Sequence, residues 1–173
     1  NMEYMFNDCF LLNKLNLSNL NTTKVFYMDF MFSNCYSLIS LDLSKFNTEN
    51  VISMVGMFQI CRGLQRLDLS NFNTKKVTNM SYMFNYCSSL MDLNVSSFNC
   101  ENVKNMKDMF SGCSNLISLN LSGFKNNKSN NIEYIFSDCT SLISLDLSNF
   151  SINCDNLKSK GAFQNLNNKC KEI

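Results

Sequence analysis

The chain has no histidine, no proline and no tryptophan among its 173 residues, and only five glycines. Without histidine it lacks the commonest general acid and base near neutral pH and the commonest metal-binding imidazole. Without tryptophan it lacks a favoured interface anchor. It also lacks an excess of charge of either sign. Lys and Arg number 15 against 14 Asp and Glu, so no net field draws it to nucleic acid or to an anionic membrane. No apolar run reaches the roughly 18 residues of a membrane-spanning helix. The N-terminus NMEYMFNDCF has neither a basic segment nor an apolar stretch with a cleavage site. That opening falls inside a repeat, so the chain is expected to be a fragment of something longer.

Catalytic machinery is also missing. General acid and base work would fall to carboxylates or lysines, yet no Asp/Glu pair, Gly-rich phosphate loop or nucleophile elbow occurs. The expectation is a protein with no catalytic residue, no cofactor and no metal.

What is present is repetition. The chain carries 15 Phe, 11 Met and nine Cys, and they recur in register. Phe6, Phe32, Phe58, Phe84, Phe110 and Phe136 stand 26 residues apart, as do Cys9, Cys35, Cys61, Cys87, Cys113 and Cys139. Leu15, Leu41, Leu67, Leu93, Leu119 and Leu145 keep the same step. A fixed period of this length marks stacked supersecondary units. One domain over residues 1–173 is expected, with regular units over 1–150 and a degenerate, capping unit over 151–173. There Ala162-Phe163 arrives one residue late and Leu166 replaces the cysteine.

Within a unit, VTNMSYMFNYC places Val77, Met80, Met83, Phe84 and Cys87 at i, i+3, i+6, i+7 and i+10. This is one face of a three-turn helix. Asn73, or equally Thr74, is its expected N-cap, with Phe72 and Val77 as a hydrophobic staple. LMDLNVS then alternates with the two-residue period of a short strand. A helix, a turn and a strand every 26 residues is one coil of an α/β solenoid, stabilised only when parallel strands of adjacent coils pair.

The cysteine row admits three readings. Ligands for zinc usually come as CxxC-like pairs with histidines, which this spacing does not supply. Disulfides between neighbouring coils would need Cα atoms within about 7 Å, and six thiols in line give no unique partner choice. A buried free thiol acting as a small hydrophobe fits best. Cys154 and Cys170, close together in the degenerate end, leave open a capping disulfide.

The units NMSYMFNYCSSL and SLDLSNF resemble the BspA-like leucine-rich repeats of surface proteins, of the bacterial surface protein 26-residue type. Residues 50–74, NVISMVGMFQICRGLQRLDLSNFNT, follow that pattern almost throughout, and the resemblance covers residues 2–150. It departs at Asn126 and Ser129, which replace the usual Thr and Val. It implies a right-handed leucine-rich-repeat-type solenoid. It also implies a cell-surface or secreted protein that binds a protein or glycan partner, often in adhesion, on a concave strand face.

The outward strand column, with its flanks, supplies the candidate partner-binding residues: Asp42, Arg66, Asp68, Asp92, Asn94, Asn120 and Asp146. The same residues would also serve simply to solvate the sheet, with Arg66 pairing Asp68 or Asp92. Neutral Asn and Ser dominate the column and argue against tight calcium binding. On the other flank Tyr4, Phe30, Tyr82 and Tyr134 share a column expected to seal the side. Ile39, Met91, Ile117 and Ile143 form a row expected to be packed. Sequons at Asn16, Asn21, Asn79, Asn94, Asn120 and Asn127 are no more than this composition supplies by chance. The second functional expectation is a structural subunit of a large assembly, whose flanks and coil ends pack against neighbours.

Overall fold

The structure, a computed structural model, describes residues 1–124, 131–150 and 161–165. The expectations about Asn126, Ser129, Asn127, Cys154, Cys170 and Leu166 lie outside them.

Four strands of three residues occur: β1 (Arg66–Asp68), β2 (Asp92–Asn94), β3 (Ser118–Asn120) and β4 (Ser144–Asp146). They form two small parallel sheets, β1 with β2 and β3 with β4. The register is one repeat: Leu67 lies opposite Leu93, and Leu119 opposite Leu145. The middle residue of each strand points inward and is buried, while its neighbours are exposed or half-exposed. This is the alternation a half-buried strand requires.

The expected helix is absent. No α-helix occurs among the described residues, and the segment that mimicked one is a spiral of tight turns. The N–H groups of Met80, Tyr82, Phe84 and Tyr86 donate to the carbonyls of Asn105, Lys107, Met109 and Ser111 in the next unit, at 2.7 to 2.9 Å. The intervening N–H groups of Met83, Asn85 and Cys87 donate three residues back, to Met80, Tyr82 and Phe84. Alternate amides thus serve the neighbour and the local turn, where a helix would spend all of them within itself.

That alternation needs a left-handed residue at two positions per unit. Tyr4, Phe30, Gly56, Tyr82, Asp108 and Tyr134 have φ between 53° and 60°, and four residues further on Asp8, Asn34, Ile60, Tyr86, Gly112 and Asp138 have φ between 56° and 75°. Gly161 and Asn165 repeat the pair one residue late. Each such residue reverses the local winding, so the inward side chains fall at helix-like intervals without helical hydrogen bonds.

The expected caps also work differently. Asn73 Oδ1 accepts from Lys75 N–H at 3.2 Å, an Asx-turn rather than a helix cap. Thr74 Oγ1 reaches the next unit, where it accepts from Asn99 N–H at 2.7 Å and donates to Asn99 C=O at 2.9 Å. Thr22 and Thr48 do the same for Asn47 and Asn73. Phe72 and Val77 are buried.

The core is a set of parallel rows. Phe32, Phe58, Phe84, Phe110 and Phe136 are fully buried, and successive rings stack at 5.5 to 5.8 Å with planes within about 12°. A parallel bridge row, Tyr27 to Ser53 to Asn79 to Asn105 to Asn131, adds a further backbone seam. Both flanks are therefore tied to neighbours by backbone hydrogen bonds. Strand spacing is about 4.8 Å whereas a helix is about 10 Å across, so a helical flank would fan the units out. A flank of turns that hydrogen-bonds to its neighbours imposes no such fanning.

Candidate functional site

The candidate residues stand on the strand face. Arg66, Asp68, Asp92 and Asn94 belong to β1 and β2, which pair Arg66 with Asp92 and Asp68 with Asn94. With Leu67 and Leu93 they line an open depression of about 510 Å³. Asn120 and Asp146 pair with each other on β3 and β4. Asp42 occupies the equivalent column one unit before β1 and is exposed. The column is therefore continuous in register, and the chemistry it offers is carboxylate, amide and one guanidinium.

Each residue of the outward column has a local job. Asp42, Asp68, Asn120 and Asp146 accept, through Oδ1, the N–H of the serine two residues on, at 2.9 Å. Asn94 accepts from Ser96 N–H and Oγ. These bonds to the charged form hold the carboxyls of Asp42, Asp68 and Asp146 below the usual range. Asp and Asn alternate freely because the turn needs only one acceptor oxygen. Arg66 pairs with neither Asp68 nor Asp92: among the described residues the ion pair is Lys107 with Glu133, at 3.1 Å.

Asx-turns recur at two further places in the unit, at Asn21, Asn47, Asn73 and Asn99 and again at Asn79, Asn105 and Asn131. Where Ser53 stands in the latter column, Asp29 of the preceding unit supplies the acceptor, bonding Ser53 Oγ and Val55 N–H. The abundance of Asn is thus structural. Its burial pushes the Asp29 carboxyl up, against those two hydrogen bonds.

Beside the polar column runs an apolar one. Ile39, Met91, Ile117 and Ile143 immediately precede the strand positions and are 43 to 53 % exposed. The expectation that they are packed is overturned: each sits at the strand's entry, outside the inward register. Gln65 completes the row.

The ladder cysteines lie elsewhere, within the core. Cys35, Cys61, Cys87 and Cys113 are free thiols and fully buried, Cys139 is fully buried too, and Cys9 is half-buried. Each buried thiol donates to the carbonyl of the phenylalanine 29 residues earlier, at 3.0 to 3.2 Å. Sequence reasoning treated them as apolar filler and missed this donor role. Burial pushes the thiol of Cys35 up to about 11 and that of Cys87 to about 12, and raises Cys61, Cys100 and Cys113 as well. Such thiols are protonated and unreactive at neutral pH. No cluster of three or more Cys, Asp or Glu among the described residues could hold a metal.

A family profile matches residues 1–68 and, overlapping it, residues 57–173. The chain belongs to the family described as Mycoplasma protein of unknown function, DUF285. The two DUF285 matches together cover residues 1–173 and overlap over residues 57–68. No curated protein matches the chain. No helix among the described residues is long and apolar enough to cross a membrane. Membership of the DUF285 family carries no activity with it.

Proposed function

We propose that this chain is a non-catalytic binding module, a solenoid of leucine-rich-repeat type like those of BspA-like surface proteins. It presents its strand face to a protein partner at a cell surface or in secreted form. The observation that carries the reading is two exposed rows repeated in register, one on the strands and one at their entry. One is the acidic and amide column from Asp42 to Asp146, and the other is the apolar row of Ile39, Met91, Ile117 and Ile143. Aliphatic side chains about half exposed and repeated in register offer desolvation that a purely polar sheet would not. This favours an extended protein segment over a glycan as the ligand.

The test uses substitutions that keep the turns. Asp42→Asn and Asp68→Asn remove charge while keeping the Asx acceptor that Asn94 and Asn120 already use. Met91→Ser and Ile117→Ser remove the apolar row. Parallel peptide and glycan arrays are probed with native and variant protein, with circular dichroism as the fold control. The reading expects peptide binding that both pairs of substitutions abolish. Glycan binding indifferent to Met91 and Ile117, or binding lost only on substituting Phe30 or Tyr134, would refute it.

A further inference from the structure

Between Ile39 and Asp146 the unit that carries β1 departs from its neighbours at two adjacent residues. Where the other units place an aliphatic side chain at the strand entry, it has Gln65, and where they place serine or aspartate at the first strand position, it has Arg66. Both side chains are exposed. Arg66 lies opposite Asp92 in the parallel register. The open depression of about 510 Å³ lies over this pair and over Asp68 with Asn94.

The guanidinium of Arg66 has no ion-pair partner among the described residues, although a carboxylate stands on the neighbouring strand. Exposed pairs of this kind hold together weakly, because each charge keeps its water and each long side chain its freedom. The planar fork of N–H donors is thereby left to a ligand carboxylate, which it fits with two parallel hydrogen bonds. A ligand bearing acid alone would also meet Asp68 and Asp92, which are exposed. The acid therefore has to be accompanied by a base opposite Asp92, one strand spacing of about 4.8 Å further along.

A repeating face leaves its ligand several equivalent positions: a segment laid along the axis and moved by one unit, about 4.8 Å, meets the same kinds of side chain again. We propose that Arg66 sets the register of the partner, and that the partner is a peptide segment in which an acidic residue and then a basic one lead into an aliphatic run. The acid sits on Arg66 beside Gln65, the base on Asp92, and the aliphatic run on Met91, Ile117 and Ile143. Moved one unit toward β2, the same segment sets its acid against Asp92. Moved one unit the other way, it sets its base against Arg66. Either slip brings like charges together, which is how a single odd charge selects one position among copies. The assignment rests on the reading of these rows as a peptide-binding surface, and adds to it the charge order of the ligand and the residue that reads it.

The rows from Ile39 to Ile143 span about 19 Å at one strand spacing per unit, so random peptides of about 12 residues, at roughly 3.3 Å each when extended, cover them. A display library of such peptides is selected on the native chain and on the charge-swapped chain, Arg66→Asp with Asp92→Arg. Native protein is expected to enrich peptides whose acid lies farther from the aliphatic run and whose base lies nearer. The swapped chain is expected to enrich the reverse order. Arg66→Gln is expected to weaken binding of the best native peptide by at least about fivefold. Replacing that peptide's acid by its amide should then cost nothing further in Arg66→Gln, as a double-mutant cycle reads. Lys75→Asp, an exposed charge reversal in a turn, controls for net charge and should leave the order as in native protein. Circular dichroism follows the fold; should the swapped chain lose it, Arg66→Gln and Asp92→Asn are selected in its place and are expected to abolish the order. Enriched peptides whose charge order ignores the swap, or that bind Arg66→Gln as they bind native protein, would overturn the assignment and leave peptide binding by these rows standing. A library from which native protein enriches nothing would overturn both.

Discussion

Thr74 offers the sharpest test of how neighbouring units are joined. Its hydroxyl is buried, accepts Asn99 N–H at 2.7 Å and donates to Asn99 C=O at 2.9 Å. Thr74→Val keeps shape and volume but leaves both backbone groups of Asn99 without a partner. An unsatisfied buried polar group costs about 1–3 kcal/mol. Asn99 is half-buried, so water recovers part of that for each group, and a total of about 2–3 kcal/mol is expected. Thr74→Ser keeps the hydroxyl and removes one methyl, costing about 1 kcal/mol. The order is the point: on apolar burial alone, valine should be the gentler substitution, while on hydrogen bonding it should be the harsher. Urea unfolding reads both variants through the midpoint, with an unchanged slope showing that cooperativity is retained. Amide exchange at Asn99 should quicken in the valine variant and not in the serine one. A valine variant as stable as the serine variant, with Asn99 exchange unaltered, would refute the role assigned to the threonine row.

Three further outcomes are expected. Ile60 is β-branched at φ 58° and half-buried, so Ile60→Asn should raise stability by about 1 kcal/mol, since a left-handed conformation costs an ordinary residue about 1–2 kcal/mol; a lower melting temperature would contradict this. Gly112 has φ 75°, and a Cβ there would lie 2.6 Å from the Tyr86 ring, so Gly112→Ala should cost more than about 1 kcal/mol, with the steric share recovered in a double-mutant cycle with Tyr86→Ala. Additive effects in that cycle would show that the ring is not the obstacle. The buried thiol of Cys87, raised to about 12 from 9.0, stays protonated in the fold after its unfolded counterpart ionises. Stability is therefore fully present below pH 9 and falls as pH rises toward 12, by about 1.4 kcal/mol per pH unit for this thiol alone. Denaturant midpoints that stay flat from pH 8.5 to 10.5 would count against it.

The interior rows were legible because position in the period is the same as position in space: Leu67 over Leu93 and Phe58 over Phe84 follow directly from the 26-residue step. The helix was misread because one unit was judged alone. Val77, Met80, Met83, Phe84 and Cys87 fit a helical face, and a turn spiral with two left-handed residues puts side chains inward at the same intervals. The contrary signal was vertical. Gly56 and Asp108 in one column, and Asp8, Asn34, Gly112 and Asp138 in the other, are the residue types that tolerate positive φ. The strand face was found, but Asp42 and Asp68 were read only as outward charges, because an Asx-turn uses an oxygen that a pattern of polar and apolar letters does not distinguish. Ile39 and Met91 were misplaced for a related reason: they abut a buried strand residue's neighbour without sharing its face.

Near-identical units create a hazard that globular proteins rarely face, since a segment can settle on the wrong neighbour and still find leucine against leucine and phenylalanine against phenylalanine. The three glycines with left-handed φ bear on this. Phe30 lies over Gly56, Tyr86 over Gly112 and Tyr134 over Gly161, and in each case a Cβ would come within 2.4 to 2.6 Å of the ring. Each ring faces a bare α-carbon in the next unit, an arrangement that recurs in every second unit. Skipping a unit during folding would bring the ring against a side chain instead of a bare α-carbon, so the succession of copies is counted correctly by the few places where they differ.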